Sequence, residues 1–218
     1  MAGMTPNNPP RRILSWADTP KTLIYTIMIT ITLIELVLQI SDRGWIADGQ
    51  LRGLAYKYGA FWSKLTDDWR PIYAAQPWTM FFTYAFLHGG LFHLIGNVVT
   101  LGSLGAIALQ RMNQWKFLQL YLAGMLGGAV MFAALSDSAI PMIGASGAIF
   151  GLVGAWQYWE FANLRRRKLP LTPFYRMMVN LVILNLLFWY MLQGALAWET
   201  HLGGFVAGWL WAYLFARD

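Results

Sequence analysis

GASGAIFGLVGAWQYWEFA, residues 144–162, sets a serine between two glycines at the head of an apolar run. A serine hydroxyl in hydrocarbon costs free energy unless it has a partner or a task. From Ser146 to Ala162 the run reads as one membrane-crossing helix. It falls short of the about 20 residues that a span takes, which holds its polar head close to the interface.

The rest of the chain supports a membrane setting. Of 218 residues, 57% are hydrophobic and 12% charged, half of the about 25% charge usual in soluble domains. The 12 tryptophans fit interfacial belts. There is no cysteine, so neither a disulfide framework nor a thiol nucleophile is available. Six stretches have the length and apolarity of spans: Leu23–Ile40, Leu91–Leu109, Lys116–Leu135, Ser146–Ala162, Met177–Gln193 and His201–Ala216. The expected fold is all-α, a polytopic bundle of six transmembrane helices over residues 21–218. Residues 1–20 read as a polar, Pro-rich tail, and the first span as uncleaved. The long connection Ser41–Phe86 is too polar to span and too aromatic for a free linker. It reads as a structure lying against the bilayer.

Basic residues orient the bundle. With the N-terminus inside, the inner segments hold Arg11, Arg12, Lys21, Arg111, Lys116, Arg165, Arg166, Arg167, Lys168, Arg176 and Arg217. The other five basic residues lie in the first outer connection among Asp42, Asp48, Asp67 and Asp68. Both termini are thus expected on the cytoplasmic side. The net charge of +6 is explained by membrane orientation, without a nucleic-acid partner. The short tails, with no transit-type N-terminus, favour a bacterial inner membrane.

This topology starts spans two, four and six on the outer side. His93, Ser146 and His201 then fall at similar depth, each within a few residues of the outer boundary. Gly147 and Gly151, Gly204 and Gly208, and Gly124 and Gly128 form small-xxx-small pairs, which let membrane helices approach closely. Such pairs can serve packing alone. Here two begin at or beside a residue able to do chemistry, and close contact of spans four and six would bring His201 to Ser146. A neutral imidazole can take the proton that keeps a hydroxyl a poor nucleophile. Free N–H groups at a helix start can stabilise an oxyanion. A plain helix N-cap serine is the competing reading.

In FLHGGLFHLIGN, residues 86–97, His93 and Asn97 share a helix face, and both can donate toward a developing negative oxygen. His88 sits at the loop–helix junction and is expected to hold the loop. A zinc site on the three histidines competes, but there is no HExxH and no carboxylate at ligand spacing. Neither a metal nor a cofactor is expected. Glu199 and Asp137 are poorly placed for a third catalytic group, so the imidazole is expected to be oriented by packing.

GASGAIFG with Ser146, HLGGFVAG with His201, and HGGLFHLIGN with His88, His93 and Asn97 resemble the rhomboid intramembrane serine proteases. The similarity covers roughly residues 20–216. The resemblance implies Ser146 as nucleophile, His201 as general base, and an oxyanion site from His93, Asn97 and the Ser146 N–H. It places Gly144 in the GxSG motif. It puts Phe150 where an aromatic, often Tyr, stacks on the histidine. It implies that the partners are single-span membrane proteins, cut within the lipid bilayer from a cavity open to the outer side. Two departures stand out: Trp78-Thr79 where many members have Trp-Arg, and Gln110-Arg111 where an acidic residue is common. Two other readings compete. One is a catalytically inactive relative that binds membrane proteins. The other is a small transporter, which would want intramembrane charge beyond Glu35.

Overall fold

The computed structural model describes residues 21–66 and 69–215, so the N-terminal tail, Asp67, Asp68 and Arg217 lie outside the described residues. Eight α-helices follow in order: α1 Thr22–Asp42, α2 Leu51–Gly59, α3 Gln76–Thr83, α4 Leu91–Leu109, α5 Gln114–Leu135, α6 Ser146–Arg166, α7 Thr172–Met191 and α8 Trp198–Phe215. Among the described residues, strand-like pairing is limited to one antiparallel bridge between Phe61 and Met142.

Six helices are long, but four of them, α1, α4, α5 and α7, are long and apolar enough by themselves to cross a membrane. The expected count of six therefore needs a physical qualification. The α6 helix is rich in glycine and tryptophan, runs on to Arg165 and Arg166, and has most of its first three turns buried within the protein. The α8 helix starts with Glu199 and His201 in its first turn and also carries several glycines and tryptophans. A helix enclosed by other helices can spend its residues on close contact, whereas a lipid-facing one must be apolar all round. The α7 helix shows the opposite case, because none of its residues is buried.

The centre of the fold is a seam of backbones. A Cβ on Gly204 would fall on the Gly147 carbonyl, and one on Gly208 on the Gly151 carbonyl. The two pairs run in the same order, so α6 and α8 are parallel. The α5 helix closes the seam from the other direction. A Cβ on Gly124 would stand 2.8 Å from Gly151 Cα, and one on Gly128 would stand 3.3 Å from Gly147 Cα. The small-xxx-small pairs in α5, α6 and α8 thus meet one another.

The connection after α1 is a folded cap. Glu35 of α1 is fully buried. Arg52 of α2 grips both its oxygens, Nη2 to Oε1 at 2.9 Å and Nη1 to Oε2 at 3.1 Å. The same guanidinium donates from Nε to Asp42 at 2.8 Å. Thr79 Oγ1 and the Tyr73 hydroxyl lie 2.7 Å apart, a local tether at the Trp78-Thr79 departure. Arg111 instead lies over the Trp159 ring of α6, 5.1 Å from its centroid.

Candidate active site

Ser146 opens α6, and the residue at the N-cap position is Ala145, with no side-chain cap. The N-cap reading of the serine is therefore overturned. Ser146 is the first helical residue, and its N–H belongs to the first turn, which has no acceptor within the helix. The approach to it is fixed by Gly144, whose φ of +115° suits a residue without Cβ. A Cβ there would stand 2.8 Å from His93 Nε2 and 3.8 Å from Asn97 Nδ2. The Gly144 N–H donates to the Tyr84 carbonyl at 3.0 Å, and Phe61 and Met142 exchange bonds of 2.9 and 3.0 Å. The cap thus holds the loop that delivers the serine. Tyr84 is buried beneath, its hydroxyl donating to the Met125 carbonyl at 2.8 Å.

His93 and Asn97 sit on one face of α4. The Gly89 N–H donates to His93 Nδ1 at 3.3 Å. With Nδ1 accepting, the neutral ring carries its proton on Nε2, the ring nitrogen on the Gly144 side. Asn97 is buried and uses one amide hydrogen on the His93 carbonyl at 3.1 Å. Its second hydrogen remains for another acceptor. Three donors, His93 Nε2–H, Asn97 Nδ2–H and the Ser146 N–H, are gathered around the Gly144–Ser146 turn.

His201 lies in the first turn of α8, three residues before Gly204, just as Ser146 directly precedes Gly147. The α6–α8 seam therefore carries both to the same end of the bundle. The Phe150 ring stacks on the imidazole, centroids 4.1 Å apart and planes 7° from parallel. The ring edge has a partner that the sequence reading missed: His201 Nδ1 and Asn185 Oδ1 lie 2.6 Å apart. Packing alone does not orient the histidine. Asn185 is one polar residue within the apolar α7 run VILNLLFW, and no local pattern marks it. The connection left between the fifth and sixth expected spans, residues 194–200, is shorter in the structure, because α8 already starts at Trp198 and Thr200 is buried in the seam.

His88 has a dual placement. Its carbonyl accepts from Arg52 Nη1 and from the Tyr56 hydroxyl, both at 2.8 Å. Its ring is fully buried, with neither nitrogen hydrogen-bonded, and stands edge-on to His93 at 5.1 Å. Burial, the largest cause, pushes its pKa down to about 3, so the ring is neutral. Among the described residues, no three histidine or carboxylate side chains gather at metal-ligand spacing.

A profile of the Rhomboid domain matches residues 74–218. The chain is 33% identical over 135 residues to Rhomboid protease GluP of Bacillus subtilis, covering 62% of this chain and 25% of that protein. It is 29% identical over 157 residues to Rhomboid-related protein 2 of Mus musculus, covering 72% and 49%. It is also 34% identical over 106 residues to Inactive RHOMBOID-like protein 8 of Arabidopsis thaliana, covering 47% and 27%. The chain thus spans between a quarter and a half of the length of these relatives.

Proposed function

The chain belongs to the rhomboid family, and on that premise we propose that it is an intramembrane serine endopeptidase working through Ser146 and His201. The observation that carries this is the meeting of α6 and α8. Gly204 packs on the carbonyl of Gly147, which brings a stacked, hydrogen-bonded imidazole to the end of the bundle that presents Ser146.

In this reading all six long helices lie in the membrane, with both termini cytoplasmic and the site open to the outer side. The membrane is a bacterial inner membrane. A single-span substrate enters laterally between α4 and α7, where α7 is least enclosed. Its helix unwinds locally, because a helical peptide bond is hydrogen-bonded and shielded. Gly or Pro in the substrate eases this step. His201 Nε2 takes the Ser146 proton as Oγ attacks the carbonyl carbon. The oxyanion is met by His93 Nε2–H, Asn97 Nδ2–H and the Ser146 N–H. Each such donor is worth about 10²–10³ in rate. His201 returns the proton to the leaving amine, and water from the outer side resolves the acyl-enzyme. Gly144, Gly147, Gly204 and Gly208 support the site by allowing close approach, and His88 supports it through its anchored carbonyl.

The test is cleavage of a reporter transmembrane substrate in liposomes by wild type, Ser146→Ala and His201→Ala. Cleavage by wild type alone, with both variants folded, is the expected result. Equal behaviour of all three would refute the assignment. Similarity to a relative named inactive favours one second reading, a binding factor without proteolysis. It predicts that all three proteins bind the reporter and leave it intact.

A further inference from the structure

We propose that Asn185 is the third member of the site, a positioning residue that fixes the tautomer and the orientation of His201. The inference rests on the proteolytic reading above and adds to it a residue from a helix that the dyad itself does not involve.

The hydrogen-bond pattern assigns each atom. Asn185 Nδ2 donates to the Leu181 carbonyl, one turn back on α7, at 3.0 Å. That bond fixes which end of the amide is nitrogen and aims Oδ1 at His201. An amide oxygen only accepts, so His201 Nδ1 carries the hydrogen in the 2.6 Å contact. The neutral ring then has its lone pair on Nε2, the nitrogen that must accept from the serine. Without an acceptor at Nδ1, the proton is free to sit on either nitrogen, and the tautomer protonated on Nε2 cannot act as base. Phe150 restrains the ring plane by stacking at 4.1 Å, but a stacked ring still turns within its plane. Asn185 stops that rotation. Stack and edge bond together leave the imidazole one orientation.

The choice of an amide also has a chemical consequence. A carboxylate beside the ring would favour its charged form. The neutral Oδ1 gives direction without that bias, so the resting base stays unprotonated to lower pH. Asn185 faces the ring from α7, and Phe150 from α6 brings no charge. His93, on α4, is itself neutral by the bonding described above, and Glu199 lies two residues before His201 and is buried.

The experiment measures steady-state cleavage of the reporter in liposomes from pH 5 to 9. It uses wild type, Asn185→Leu, Asn185→Asp and Ile183→Ala, an exposed neighbour on the same helix, with Ser146→Ala as the blank. Asn185→Leu should lower kcat about tenfold to a hundredfold, by analogy with the loss on removing the hydrogen-bond partner that orients a metal-binding histidine, with KM little changed. Asn185→Asp keeps an acceptor. It should retain most of kcat at high pH while the acid limb of its profile moves to higher pH. Ile183→Ala should match wild type. The proposal is overturned if Asn185→Leu keeps the wild-type kcat, if Ile183→Ala loses as much, or if the acid limb of Asn185→Asp stays in place. If Asn185→Leu fails to fold, the Asn185→Asp profile decides alone. A wild type that does not cut above the Ser146→Ala blank refutes the proteolytic reading, and this inference falls with it. A wild type that cuts, with all Asn185 variants unchanged, refutes only the role of Asn185.

Discussion

Gly204→Ala adds a single methyl group at the point where α8 rests on α6. The new Cβ would land on the Gly147 carbonyl, 2.9 Å from the Gly147 carbonyl carbon and 3.2 Å from its Cα. Ordinary contact for such an atom begins at 3.4 Å. The obstacle is backbone, so no side chain can swing aside, and the two helices must part by about 1 Å or more. Overfilling a packed interior costs about 1–3 kcal/mol. The larger effect falls on the chemistry. Ser146 and His201 lie within one turn of this contact, on opposite helices, and a misplacement of about 1 Å costs about 10² in rate. Expected, then, is a folded protein with a lowered Tm and about a hundredfold lower kcat on the reporter. Gly53→Ala is the control, because nothing lies within 4 Å of a Cβ there. It should keep full activity and gain slightly in stability from the better helix former. Thermal unfolding followed by tryptophan fluorescence and the cleavage assay read both effects. A Gly204→Ala protein with wild-type Tm and kcat would refute the claim that backbone contact aligns the site.

Two further predictions concern the cap. Arg52→Met leaves Glu35 buried with only Gln39 as partner, and should cost about 3–5 kcal/mol. The double variant Arg52→Met/Glu35→Gln should recover much of that loss in denaturant unfolding. A single variant within about 1 kcal/mol of wild type would remove the ion pair from the account of how the cap is held. His88 makes stability depend on pH. Its folded pKa is held down to about 3, against about 6.5 in an unfolded chain. Its contribution is complete above about pH 6.5. It is lost as pH falls toward 3, because the unfolded chain takes a proton that the native ring refuses. The slope is about 1.4 kcal/mol per pH unit. The Tm of wild type should therefore fall more steeply than that of His88→Asn between pH 7 and 5, and parallel curves would count against it.

What was legible in the sequence is what local chemistry carries. Long apolar runs make helices in lipid wherever they occur, because backbone groups there must bond within their own segment. Small residues at helical spacing mark a face that can approach another backbone, and the glycines of α5, α6 and α8 do meet. Ser146, His93, Asn97 and His201 were visible as chemically able residues near helix starts. The stack of Phe150 on His201 was implied by the family resemblance rather than by spacing, and the two rings do stack. The tertiary structure alone decided the rest. Asn185 looks like a stray polar residue until the fold sets that face of α7 against the imidazole, which no repeat along α7 marks. Arg52 and Glu35 are separated by a turn and a change of helix, so their pairing has no sequence period. The number of self-sufficient spans also fell short of the count of apolar runs. Hydropathy measures affinity for lipid, and α6 and α8 are held in the bundle by contact with other helices instead.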